Sequence, residues 1–198
     1  MSKVIVDNEM IADIADAIRV KIGNSKVYKL AEMPDAIRSI EGGDSGDAEL
    51  WNRYNRNTLT TDDIHAILDD IVKVNNYVNV QIRDNKFQSQ LLVEYLHLPE
   101  GIYSVAQQSF AGCINVKEII LPKTLYNGLQ NQAFARCIAC EKVVFQEIPT
   151  DTNGINYNAF YGCEALKDIY VPWLEGEVAN APWGAENATI HYGYRYTA

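Results

Sequence analysis

Apolar positions in the first part of the chain recur every three or four residues, which is the spacing of one face of an α-helix. Isoleucines keep this spacing through residues 9–22, and Gly23 then favours a helix end. A shorter segment has Pro34 in its first turn and ends at Gly42. Neither helix is long enough to be stable alone, so we expect a helical hairpin that attaches to a partner. The apolar attachment residues are Ile11, Ile14, Ile18, Ile22, Met33, Ile37 and Ile40.

Helical spacing returns after residue 60, and weaker signals follow it. Thr60 or Thr61 is suited to cap a third helix. The apolar side of this helix is formed by Ile64, Ile67, Leu68 and Ile71. From Asn75 to Gln90 the alternation is loose, and it predicts a pair of strands.

Three segments in the second half of the chain align without gaps. Phenylalanine recurs at positions 110, 134 and 160, and cysteine follows three residues later each time. A period of this length is typical of a solenoid, whose coils bury a shared apolar face by stacking. Each segment ends in a short apolar strand, so the stacked coils form a parallel sheet. Alternation along the strands places these side chains inside: Ile119, Leu121, Val143, Phe145, Ile169 and Val171.

The remaining strand positions point outward and form the predicted binding face. Ile120 and Val144 would lie side by side there, between His97 and Tyr170. An apolar stripe of this kind is typical of an interface. We therefore expect the face to be covered by a neighbouring subunit or by the chain's own N-terminal half, or to be reserved for a receptor. Its predicted residues are Tyr95, His97, Glu118, Ile120, Lys142, Val144, Asp168, Tyr170 and Trp173.

Composition narrows the classes of function. The formal net charge of −9 disfavours nucleic acid as a partner. The sequence has no apolar run of about 18 residues, which predicts no membrane insertion. The first residues lack the apolar core of a secretory signal, so we expect folding in a cytosol with all four cysteines reduced.

No arrangement of residues in the sequence points to catalysis. Cys137 and Cys140 have the spacing of a metal or redox pair, but no second pair accompanies them, and both fall on repeat positions that favour packing. The three histidines are scattered, and Asp62 and Asp63 suit a helix N-terminus. We therefore expect no enzyme activity, no catalytic residues, no cofactor and no metal site.

The repeat carries a resemblance to a known family. Ala159-Phe160-Tyr161-Gly162-Cys163, followed by Leu166, Ile169 and Pro172, resembles the BspA-like leucine-rich repeat at every fixed position. The second segment departs from it at Arg136, Cys140 and Gln146. The resemblance covers about residues 90–173 and implies binding. It completes the predicted fold class: α+β, with a short N-terminal helical hairpin followed by a small leucine-rich-repeat solenoid with a parallel β-sheet.

The ends of the chain resemble a second group of proteins. Residues 11–23 and 33–37 are similar to the start of tail-associated proteins of phages, and residues 171–185 to the end of such proteins. This resemblance implies a virion structural protein of a phage tail, baseplate or fibre, assembled in the cytoplasm of the bacterial host. Its partners would be other tail or baseplate proteins, further copies of itself within the particle, and a host cell-surface protein or glycan.

These patterns define four parts of the chain. We predict a helical attachment module at 1–41, a flexible linker at 42–50, a helix-containing connector at 51–89, and a leucine-rich-repeat domain with a C-terminal cap at 90–198. The alternative function is a bacterial cell-surface adhesin, which would carry a leader or wall anchor. A tail-associated glycan hydrolase would require convergent carboxylates, which the sequence does not indicate.

Overall fold

The computed structural model describes residues 53–54, 56–75, 80–146 and 154–197. Contacts divide the chain into two units, Met1–Asn55 and Arg56–Ala198. The predicted helical hairpin, all seven attachment residues and the predicted linker lie outside the described residues.

A helix leads directly into the repeats. Helix α1 spans Thr61–Val74, and Thr60 caps it through a reciprocal pair of hydrogen bonds. The Thr60 hydroxyl accepts from the backbone N–H of Asp63 at 3.2 Å, and the Asp63 carboxylate accepts from the N–H of Thr60 at 2.9 Å. Ile64 and Leu68 are buried on its inner side. The helix and the cap predicted from the sequence are both confirmed.

The rest of the unit is a parallel β-solenoid of about five turns. The strands are β1 Val80–Ile82, β2 Tyr95–His97, β3 Ile102–Val105, β4 Glu118–Leu121, β5 Lys142–Phe145, β6 Asp168–Tyr170 and β7 Thr189–His191. A five-stranded sheet has the order β2-β4-β5-β6-β7, and β1 pairs with β3 in a second sheet. Every pairing is parallel. The predicted parallel sheet is therefore confirmed.

The core is built from the side chains that alternation places inside. Ile119, Val143 and Ile169 are aligned across three neighbouring strands. All six side chains predicted to point inward are completely buried, namely Ile119, Leu121, Val143, Phe145, Ile169 and Val171. Because each strand buries one side against the same core, a one-residue slip would expose the whole apolar set, so the register is strongly specified.

Phenylalanine rings stack through the middle of the solenoid. Phe87, Phe110, Phe134 and Phe160 are completely buried, and neighbouring ring centroids lie 5.3, 5.3 and 5.8 Å apart. These distances are close to the spacing of adjacent strands, about 4.8 Å. Trp183 ends the stack, since its backbone carbonyl accepts the N–H of Phe160 at 3.0 Å and its side chain is completely buried. The sequence predicted the last three rings and the C-terminal cap.

The first coil begins earlier than the sequence predicted. Phe87 occupies the position of the repeated phenylalanine, and β1 belongs to the same coil. The predicted strand pair between Asn75 and Gln90 does not form within the described part of that segment, because its strand β1 pairs with β3 of the next coil instead. The described solenoid therefore includes residues 80–89, which the sequence assigned to the connector.

Candidate functional site

The outward side chains of the five-stranded sheet stand in two parallel rows, which we call the outer face. One row contains Tyr95, Glu118, Lys142, Asp168 and Thr189. The other row contains His97, Ile120, Val144, Tyr170 and His191. The structure thus brings eight of the nine predicted face residues together in register. Thr189 and His191 are additions, because the sequence predicted the closing strand β7 but did not place its side chains on this face.

The first row carries alternating charges. The Lys142 ammonium lies 2.6 Å from the Glu118 carboxylate, and this hydrogen bond raises the pKa of Lys142. Glu118 is also 3.7 Å from the His97 ring. At the other end, the Asp168 carboxylate lies 2.7 Å from His191 Nε2. These groups are half-exposed, so the pairs contribute little to stability, and their charges remain available to a partner.

Aromatic rings collect at the two ends of the outer face. Tyr170 stacks on His191 with centroids 4.4 Å apart, and Tyr194 packs against it at 4.8 Å. At the opposite end Tyr95 is 42% exposed, and Lys117 Nζ lies 5.8 Å from the centre of its ring. Rings of this kind provide large contact areas with a polar group at one edge, and they are common anchors at interfaces.

Three predicted face residues are inaccessible. Ile120 and Val144 are neighbours between His97 and Tyr170, as the register predicted, but their exposed fractions are only 7% and 1%. Trp173 is 7% exposed and packs against Phe145 with ring centroids 5.6 Å apart, so it belongs to the core. The predicted apolar stripe is therefore not a free surface. The accessible part of the outer face is charged, polar and aromatic.

The cysteines are packing residues. Cys113, Cys137 and Cys163 each donate a hydrogen bond to the backbone carbonyl of a phenylalanine in the preceding coil, at 3.2–3.4 Å. The Cys140 thiol donates instead to the carbonyl of Lys142. All four are free and buried. Burial raises the pKa of Cys113 to about 12 and also raises that of Cys140, which suppresses the reactive thiolate.

A groove lies at the turns that follow the stacked phenylalanines, and its volume is about 540 Å³. Its lining includes exposed aliphatic side chains, and Arg136 and Glu164 add one charge of each sign. It is lined by Ser89, Leu91, Gly112, Ile114, Arg136, Ile138, Tyr161, Gly162 and Glu164. The sequence did not predict this groove, because its side chains come from turns, where no period-two alternation marks the direction of a side chain.

Comparison with protein families decides the nature of the repeat. The model of the BspA type leucine rich repeat region matches residues 80–175, with six copies. Residues 80–175 are a BspA-type leucine-rich repeat region. The resemblance seen in the sequence is confirmed for this part of the chain, and the BspA-type repeats begin at the residue where β1 begins.

The other comparisons add no relative. No curated protein and no solved structure matches the chain significantly. The BspA-type repeats indicate a role in binding proteins or surfaces. Among the described residues, no helix is long and apolar enough to cross a membrane, and there is no cluster of three metal-binding side chains.

Proposed function

We propose that the chain is a non-enzymatic binding protein that recognises another protein or a cell surface through the outer face. The observation that carries this proposal is the alignment of accessible charged and aromatic side chains from the five neighbouring strands of one sheet. Such an array presents one rigid surface, because every side chain is fixed by the register of the sheet beneath it. A rigid surface reduces the conformational entropy that is lost on binding.

Binding by surface complementarity, without turnover, agrees with the state of the nucleophilic groups. The thiols are buried, and the raised pKa values of Cys113 and Cys140 keep these two protonated. On the outer face, His97 and His191 pair with carboxylates. These interactions hold the side chains of the outer face in position.

We propose further that the chain is a component of a phage tail, baseplate or fibre, present in several copies. The proposal rests on the resemblance of residues 11–23, 33–37 and 171–185 in the sequence to tail-associated proteins of phages. In this setting the first 41 residues attach the chain to the particle, and the outer face contacts a host surface or a neighbouring tail protein. The alternative is a cell-surface adhesin, with which the BspA-type repeats are compatible.

Fractionation of the source cells tests both the face and the location. A tail component should sediment with purified tailed particles, whereas an adhesin should remain with the cell envelope. The double variant Tyr95→Ala, Lys142→Gln should lose this association while it keeps the circular dichroism spectrum of the native chain.

A groove variant provides the matched control. Ile138→Ser changes an exposed side chain outside the outer face, and it should keep the association. If Ile138→Ser is released and the outer-face variant is retained, the groove is the binding surface and the proposal for the outer face is wrong. If the native chain associates with neither fraction, the proposed binding function loses its basis.

A further inference from the structure

Helix α1 lies along β2, the edge strand of the five-stranded sheet. Its side chains accept hydrogen bonds from β2 that another strand would otherwise accept. The Thr61 hydroxyl accepts hydrogen bonds from the backbone N–H groups of Glu94 and Tyr95, at 2.9 and 3.3 Å. One helical turn further on, His65 Nε2 accepts from the N–H of His97 at 3.1 Å. Edge strands expose unpaired N–H groups that pair readily with other chains, so these contacts close the N-terminal end of the solenoid.

The spacing of the two elements explains why this arrangement fits. Residues four apart on a helix are separated by about 6 Å along its axis. Residues two apart on a strand are separated by about 6.6 Å. Thr61 and His65 therefore match Tyr95 and His97, and one face of α1 presents acceptors in the pattern that a neighbouring strand would offer.

The histidine contact requires one protonation state. Neutral imidazole has one N–H donor and one acceptor nitrogen, whereas the imidazolium ion has two donors and no acceptor. With Nε2 accepting from His97, the proton of neutral His65 is on Nδ1. Protonation would place an N–H of His65 against the N–H of His97, so the hydrogen bond cannot survive it.

The surroundings of His65 favour the neutral form. Burial and then the neighbouring His97 lower the pKa of His65, and these effects outweigh those of Asp62 and Asp69 on the helix and of the Tyr95 backbone, which raise it. The rings of His65 and His97 are stacked with centroids 5.8 Å apart. Glu118 lies 3.7 Å from His97 on the side of the sheet.

We propose that His65 is an acid-sensitive latch, which holds α1 against β2 near neutral pH and releases this edge of the sheet in mildly acidic solution. The direction of this pH response follows from proton linkage. A histidine with a lowered pKa in the closed state binds fewer protons there than in the open state. Its contribution is therefore complete above about pH 6.5, the ordinary histidine value, and is lost as the pH falls through the lower pKa of the closed state.

The other contact that α1 makes with β2 does not titrate, since the hydroxyl of Thr61 is neutral throughout this range. A change between pH 7.5 and pH 5 therefore points to a histidine, and the His65→Gln variant tests whether that histidine is His65.

Hydrogen–deuterium exchange of the full chain tests the latch. Protection factors, corrected for the intrinsic pH dependence of exchange, should fall for residues 93–98 between pH 7.5 and 5, because the hydrogen bond from the His97 N–H to His65 is lost. Protection of β5, in the middle of the sheet, should stay constant. Unchanged protection of residues 93–98 would contradict the latch.

Two histidine variants separate the latch from general acid effects. His65→Gln keeps an acceptor oxygen and cannot be protonated, so its protection at residues 93–98 should not depend on pH. His191→Gln alters a histidine that pairs with Asp168 at the other end of the same sheet, and it should keep the native response. A pH response that persists in His65→Gln would overturn the proposal.

A measurement on the native chain covers the case in which His65→Gln does not fold. In an NMR titration, the ring signals of His65 and the amide signal of His97 should move with one common midpoint below about pH 6.5. If the His65 ring titrates while the His97 amide stays unchanged, protonation does not open the contact and the latch does not exist.

Discussion

Phe134 shows at the scale of one residue how the repeats are held together. Its ring lies between those of Phe110 and Phe160, at 5.3 and 5.8 Å, and is completely buried. The backbone carbonyl of the same residue accepts the thiol of Cys163 at 3.2 Å. One residue therefore contacts both neighbouring coils.

Phe134→Ala should lower the free energy of unfolding by about 3–5 kcal/mol, since it leaves a cavity between two rings that cannot collapse onto each other. Chemical denaturation followed by circular dichroism measures this change. Tyr126→Ala, at a side chain that is 53% exposed, is the control and should change the stability by less than about 1 kcal/mol. A native stability for Phe134→Ala would show that the stack does not carry the core.

Arg136 occupies a position where the repeat favours glycine. Its φ angle is 58°, in the left-handed region, and the equivalent residues Gly112 and Gly162 have φ angles of 75° and 72°. Side chains with a Cβ are strained in this region, by about 1–2 kcal/mol. The departure from the repeat pattern at this position therefore has a cost in stability.

Arg136→Gly should raise the free energy of unfolding by about 1 kcal/mol, because the relief of strain exceeds the added entropy of the unfolded chain. Thermal or urea denaturation measures the effect. Gly162→Ala is the opposite change. Its new Cβ would lie 3.3 Å from Arg136 Cγ at a φ of 72°, so this variant should be less stable than the native chain. A destabilised Arg136→Gly would indicate that the arginine makes a compensating contact.

At the scale of elements, the contact of α1 with β2 depends on acceptors at two positions of one helix face. Thr61→Val keeps the shape and the branched side chain but removes the acceptor of two backbone N–H groups. We expect a loss of about 1 kcal/mol, the usual net value of such a hydrogen bond, together with faster amide exchange at Glu94 and Tyr95. Thr61→Ser keeps the hydroxyl and should stay close to the native chain. Equal effects of the two variants would exclude the hydrogen bonds as the cause.

The sequence predicted the elements best where the repeat pattern was complete. Segments with both phenylalanine and cysteine gave the correct strands, register and inner side chains. Side chains alternate between the two sides of a strand, so aligning the segments fixes which side faces the core. The first coil was missed because Ser89 and Gln90 stand at the glycine and cysteine positions. Gln90 is buried and accepts the N–H of Leu59 at 3.0 Å, so a polar side chain that breaks the pattern ties the coil to the segment before it.

The site was harder to predict than the fold. Alternation gave the direction of Ile120, Val144 and the other strand residues, but not how far each one is covered. The burial of a strand side chain depends on residues that are distant in the sequence. Trp173 shows the same limit, because its place in the core depends on Phe145, 28 positions earlier. The groove and the contact of His65 with β2 depend likewise on turns and on a helix that no repeat position identifies.

At the scale of the whole molecule, the two ends differ from the middle. The N-terminal edge of the described solenoid is closed by α1, and Trp183 and β7 finish the other end. The coils between them make the same kinds of contact on both sides. The net charge of −9 adds a preference for cationic or neutral partner surfaces over anionic ones.

This division into two fixed ends and an interchangeable middle makes the length of the molecule a variable that evolution or design can change in whole steps. Copying the 24 residues from one stacked phenylalanine to the next would lengthen the sheet by about 4.8 Å and extend both rows of the outer face by one side chain each. Neither end would have to change. The number of coils could then be chosen so that the outer face matches the regular spacing of a repetitive partner, without redesign of any single contact.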